Sequence, residues 1–131
     1  MLTCLIVANN PSTRHEFATI VRALKFEAVC ASSVNEATQA LRLKPLVAIV
    51  VDEWWHNGED PMIFVRKQPL LNRSPVVVVQ KVRLTALNNG ADYVVHRDDP
   101  GALGDILAQI ELKAHEAQLA VMEPELQKAA E

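Results

Sequence analysis

Asp52 is the residue of this sequence best placed to do chemistry. It closes the apolar run Val47 to Val51, so its carboxylate sits where a buried strand is predicted to end. Polar groups gather at comparable points elsewhere. Ala8-Asn9-Asn10-Pro11 and Arg14 follow Leu5-Ile6-Val7, Gln80-Lys81 follow Val76 to Val79, and His96-Arg97 follow Tyr93-Val94-Val95. Other chemistries lack support. The four histidines His15, His56, His96 and His115 show no paired ligand spacing, so no metal site is predicted. Cys4 and Cys30 have no CxxC spacing and both fall in predicted core strands, which argues against a zinc site, a disulfide or a Cys–His nucleophile. Ala8-Asn9-Asn10-Pro11 offers no glycine for close backbone approach to a phosphate.

The elements that must position these groups can be read from periodicity. Five short runs rich in β-branched residues read as strands: Leu5-Ile6-Val7, Ala28-Val29-Cys30, Val47 to Val51, Val76 to Val79 and Tyr93-Val94-Val95. They are almost continuously apolar, as strands are when helices cover both faces of a parallel sheet. Helical patterns lie between them. Phe17, Ile20, Val21 and Leu24 mark one face of the first, with Thr13 and Glu16 as a capping box at its start. Ser33 and Glu36 repeat that box before Ala37, Ala40 and Leu41, and Pro45 ends the segment. A third helix spans Met62 to Leu71, weakened by Pro69, and a short fourth runs from Arg83 to Asn89 and stops at Gly90. The fifth opens with Asp99 as cap and Pro100 in first position, and places Leu103, Ile106, Leu107 and Ile110 on one face. Five βα units in succession call for a doubly wound α/β sandwich with right-handed crossovers, whose chemistry lies beyond the carboxyl ends of the strands.

The order and spacing of these features resemble the receiver domain of bacterial two-component response regulators over roughly residues 1–113. The features are Leu5-Ile6-Val7, Pro11 with Arg14, Asp52 after its apolar run, Gly58, Pro75 before the fourth strand, and Gly90-Ala91-Asp92-Tyr93. The resemblance implies a flavodoxin-like (βα)5 sheet of strand order 2-1-3-4-5. It also implies a site in which an acidic pair holds Mg²⁺, an aspartate accepts a phosphoryl group, and a hydroxyl and a lysine bind its oxygens. Position by position only the aspartate, Asp52, matches. Ala8 and Asn9 stand at the acidic pair, Gln80 at the hydroxyl, and His96 at the lysine, followed by Arg97 instead of proline. Trp55-His56 replaces the usual Met-Pro. Mg²⁺ wants several hard oxygen ligands, and Asn9 offers one neutral carbonyl while Ala8 offers none. Weak or absent Mg²⁺ binding is therefore expected, with no other cofactor. Without the ion, approach of a phosphoryl donor to an anionic carboxylate is opposed by repulsion. These losses point to a pseudo-receiver: a signalling and protein-interaction module, not an enzyme, with Asn9 and Gln80 hydrogen-bonding Asp52. The alternatives are a receiver weakly phosphorylated on Asp52 in a phosphorelay, and a small flavodoxin-like enzyme or nucleotide binder.

The rest of the sequence speaks to partners. Tyr93 matches the aromatic that in receivers swings between inward and outward positions. Trp54 and Trp55 on the loop after the third strand, with Arg83 and Arg97, are the predicted partner contacts, although one tryptophan is expected to pack inward. The stretch 66–97 is basic, carrying Arg66, Lys67, Arg73, Lys81, Arg83 and Arg97 against Asp92 alone, which suits an acidic protein partner. Beyond it the last helix is predicted to extend from Gly101 to Met122 before Pro124 breaks it. Its seam Leu103, Leu107, Ile110, Ala114, Ala117 and Val121 alternates steps of four and three, and Leu112, Leu119, Met122 and Leu126 mark a second stripe. Residues 114–131 thus read as a helical extension or linker that makes a homodimer or meets a C-terminal effector region. The chain has 131 residues, half of them hydrophobic, and a net charge of −3. That is one domain with its own core, with no balance towards nucleic acid. No apolar run approaches the length of a membrane helix, and the absence of a secretory signal or cysteine framework favours the cytoplasm.

Overall fold

The computed structural model describes residues 2–42, 45–53, 55, 60–80 and 91–130, and in the last stretch the side chains of 91–99 and 101–117. The predicted helix from Arg83 to Asn89 lies outside these residues, as do Trp54, Gly58, Lys81, Arg83 and Gly90. Five parallel strands are present: β1 (Thr3–Val7), β2 (Glu27–Ala31), β3 (Ala48–Asp52), β4 (Val76–Gln80) and β5 (Tyr93–His96). Their order is β2-β1-β3-β4-β5, the doubly wound order expected from the resemblance. Four helices are described: α1 (Pro11–Ala23), α2 (Val34–Ala40), α3 (Pro61–Leu71) and α4 (Pro100–Ala130).

Because strand side chains alternate, the sheet divides the core in two. Cys4, Ile6, Val50, Val77, Val79 and Val95 face α1 and α4, where Phe17, Val21, Leu103, Leu107 and Ile110 meet them. Leu5, Val7, Ile49, Val51, Val76 and Val78 face α2 and α3, against Ala37, Leu41, Phe64 and Val65. β1, β3 and β4 are buried along their whole length, which is why they read as continuous apolar runs. β2 lies at the edge, and Cys30 there is exposed instead of belonging to the core as predicted.

The helix ends correct the sequence reading in two places and bear it out in a third. α1 begins at Pro11, earlier than the Thr13–Glu16 box, because Asn10 Oδ1 accepts the amides of Ser12 (2.8 Å) and Thr13 (3.3 Å) and proline needs no donor in first position. α3 reaches Leu71 as predicted, passing Pro69, whose exposed ring sits in the last turn. α4 continues through Pro124 to Ala130, 31 residues in all. A proline removes one hydrogen bond, and the strong helix formers around it, Glu123, Glu125, Leu126, Gln127 and Lys128, sustain the rest. The second box is present: Ser33 Oγ accepts Glu36 N–H at 3.1 Å, and Glu36 Oε2 accepts the Ser32 amide at 2.7 Å. α1 ends on a left-handed residue, Lys25 (φ 70°), where Lys25 N–H bonds Arg22 O (2.9 Å) and Phe26 N–H bonds Val21 O (3.2 Å).

Candidate functional site

Asp52 ends β3 on the α1/α4 side of the sheet and is only 1% exposed. Strand alternation decides what else reaches it. On β5, Tyr93 and Val95 belong to the α1/α4 side, and Val94 packs on the other. His96 therefore falls on the far face and Arg97 on the near one. The structure obeys that rule. Arg97 Nη1 lies 3.9 Å from Asp52 Oδ1, and its Nη2 donates to Thr13 Oγ1 at 2.8 Å. One guanidinium thus spans from the end of β3 to α1. His96 instead turns to solvent, where its Nδ1 accepts the Asp98 amide at 3.2 Å and stands 3.7 Å from Asp98 Oδ2. Among the described residues a cation beside Asp52 is Arg97, not the histidine at the lysine position.

The loop after β1 is held from below. Ala8 is fully buried and its amide donates to Ala31 O at 3.1 Å. Arg14 Nη1 donates to both Ala8 O and Asn9 O at 2.9 Å, spending its guanidinium on backbone carbonyls. Gln80 ends β4 at 3% exposure, and its Nε2 has no hydrogen-bond partner among the described residues. The predicted Gln80 amide bond to Asp52 is therefore not made, because alternation puts Gln80 with Val76 and Val78 on the α2/α3 side. Trp55 returns to the same site: its Nε1 donates to Asp52 O at 2.9 Å, and its ring packs, half-buried, on the α2/α3 core. It caps the strand end. Tyr93 is tied to α4 by Lys113, whose Nζ donates to its hydroxyl at 3.1 Å and stands 5.6 Å from the ring centroid.

Thr13 was not among the predicted site residues. It reads in sequence as part of a cap, yet it is 2% exposed and receives Arg97. The signal available was its position in the first turn of α1, on the face packed against the sheet.

A divalent ion would find few ligands here. Among the described residues no group of three or more His, Cys, Asp or Glu side chains comes together. Asp52 already has a guanidinium beside it, Ala8 offers no side-chain oxygen, and the Ala8 and Asn9 carbonyls are turned to Arg14. Among the described residues this donor set falls short of the several anionic or neutral oxygens in octahedral array that Mg²⁺ prefers.

No protein-family model and no curated protein matches the sequence. Solved structures do match in fold. The receiver domain of a Pseudomonas aeruginosa sensor histidine kinase, crystallised with magnesium in its active-site cleft, is 17% identical at a TM-score of 0.73, covering 82% of this chain and 95% of its own. A response regulator receiver domain from Clostridium thermocellum is 11% identical at 0.77, covering 89% and 99%. A Vibrio cholerae chemotaxis protein is 16% identical at 0.73, covering 84% and 98%. This chain has the fold of response regulator receiver domains, with a guanidinium beside the strand-end aspartate.

Proposed function

We propose that this chain is a receiver-like signal-transduction and protein-interaction module that works without Mg²⁺-dependent aspartyl phosphorylation and is not an enzyme. The carrying observation is the Arg97 guanidinium, held by Thr13 and set 3.9 Å from Asp52. A fixed cation supplies in cis the charge neutralisation that a metal would otherwise provide, without the open coordination positions that let a metal orient a phosphoryl group. Ala8 and Asn9 at the acidic-pair positions and Gln80 at the hydroxyl position support the same reading. The strand end is then set in one state, and its output lies in what the surface binds, a protein partner or a C-terminal effector region. The long α4 favours homodimerisation as part of that output. Among the described residues no helix is long and apolar enough to cross a membrane.

Incubation with Mg²⁺ and acetyl phosphate, followed by intact mass measurement, tests the reading. The chain is expected to stay unmodified. A stoichiometric phosphate adduct that disappears in Asp52→Asn would establish the alternative, a phosphorylated receiver.

A further inference from the structure

The amino ends of β3, β4 and β5 lie at the opposite end of the sheet from Asp52. There the segments leading into β3 and β4 and the middle of α4 border a groove of about 550 Å³. That lies inside the range of about 300–1,000 Å³ typical of small-molecule sites. Its walls are mainly aliphatic, with Leu46, Val47, Pro75 and Ile110 among them. The loop before β4 forms one wall and is braced from beneath. Gln68, 1% exposed, donates through Nε2 to Asn72 O and, at 3.3 Å, to Ser74 O, and Ser74 Oγ donates to Leu46 O at 2.8 Å. These polar groups are satisfied by the protein itself, so the groove is formed without a ligand to shape it.

The charged side chains that line this groove, Arg73 and Lys113, are both cations. Among the described residues Arg73 makes no hydrogen bond or ion pair. Lys113 has a neutral partner, the Tyr93 hydroxyl, at 3.1 Å from Nζ. Asp92, the acid nearest to Tyr93 in sequence, is engaged elsewhere: its Oδ2 accepts the Val76 amide at 2.8 Å. Glu27 and Glu111 line the neighbouring concavities around Leu2, not this one. Two cations without a carboxylate partner, set against an aliphatic wall, are complementary to a molecule with an anionic head and an apolar body. A neutral lipid would leave both cations unpaired, and a nucleotide would lay its sugar and base edges against aliphatic side chains.

We propose that this groove binds a single-chain amphipathic carboxylate, of the fatty-acid class, with its head at Arg73 and Lys113 and its chain along Leu46, Val47, Pro75 and Ile110. The planar guanidinium of Arg73 suits the two oxygens of a carboxylate, and the Tyr93 hydroxyl adds a donor beside Lys113. The chain supplies affinity in proportion to the apolar surface it covers, and the head supplies selectivity. Because Lys113 and Tyr93 join α4 to β5, the ligand sits against the contact that holds the long helix to the sheet. The site rests on these lining residues and on no part of the signalling reading.

Calorimetric titration of the full chain with sodium decanoate, kept well below its micelle concentration, tests the site. Saturable binding of one molecule per chain is expected. Decanol, which lacks the charge, and butanoate, which lacks the chain, should each bind at least about tenfold more weakly. Arg73→Gln and Lys113→Gln should each weaken decanoate about tenfold, whereas Lys25→Gln, which removes a cation of a neighbouring concavity, should leave it within about twofold. Arg73 and Lys113 are both exposed, so their replacement leaves the core intact. Absence of saturable binding, decanol bound as tightly as decanoate, or an affinity unchanged by both substitutions refutes the proposal. A loss on Lys25→Gln with none on Arg73→Gln would place the ligand in the neighbouring concavity and refute it equally. Independently of any variant, the amide resonances of Val47, Tyr93 and Ile110 should shift on titration; shifts confined to other parts of the chain would overturn the location.

Discussion

Asp52 is a carboxylate almost wholly withdrawn from water, and Arg97, about a quarter of whose side chain remains exposed, is the cation set beside it. Withdrawing a charge from solvent is costly, and the attraction of a nearby opposite charge offsets part of that cost only while both are present. Removal of the guanidinium is therefore expected to cost more when the carboxylate is there than when it is not. Arg97→Met should lower stability in urea denaturation by about 1–2 kcal/mol, discounted from the fully buried case for the exposure of the arginine. In the Asp52→Asn background the same change should cost below about 0.5 kcal/mol, leaving a clear coupling term. Equal costs in both backgrounds would mean that the two groups do not interact. The pairing was legible in principle: Arg97, directly after β5, continues the parity of Tyr93 and Val95, and that parity excludes His96. Matching by aligned position favoured the histidine because it ignored which face each residue takes. Thr13 was harder to see, since its sequence neighbourhood offers two overlapping caps and only the Asn10-Pro11 pair wins.

At the scale of elements, the sheet treats two similar cysteines in opposite ways. Cys4 lies in β1, inside the sheet, and burial, with a smaller contribution from Cys30, pushes its thiol up to about 12. Cys30 lies in β2 at the edge and is exposed. Iodoacetamide at pH 8 should therefore place one adduct, on Cys30, and a second on Cys4 only after denaturant is added; rapid double labelling of the native chain would contradict the burial. The linkage has a definite sign. Folding raises the Cys4 pKa above its ordinary value of 9.0, so the contribution is complete below pH 9 and is lost as pH rises towards 12. Compared with Cys4→Ala, the unaltered chain should lose more stability over that alkaline range. The burial of the central strands was legible because a run such as Val76 to Val79 has no polar face to offer solvent. The edge position of β2 was not, since Ala28-Val29-Cys30 is equally apolar and strand order comes from the crossovers between elements, not from any strand's composition.

Over the whole molecule, the core and the long helix separate cleanly along α4. Leu103, Leu107 and Ile110 are buried against the sheet, and by Ala117 the helix is exposed. Burial of such side chains stabilises by about 1.5–3 kcal/mol each, so residues up to 110 carry the helix's share of domain stability. Lys113 adds its bond to Tyr93. The helix beyond Lys113 is expected to contribute little to the stability of one copy. The seam of alternating steps continues unbroken in sequence from Leu103 to Val121, which is why it read as a single coiled-coil stripe. Its first half serves the domain's own core and only its second half is available to a partner, a division set by where the sheet ends. A chain truncated after Lys113 should unfold cooperatively within about 5 °C of the full chain measured under monomeric, dilute conditions. In light scattering it should remain a monomer at concentrations where the full chain is dimeric. Loss of the cooperative transition would show that the projecting segment belongs to the fold, and a truncated chain that still dimerised would place the contact on the sheet and its covering helices instead of on the end of α4.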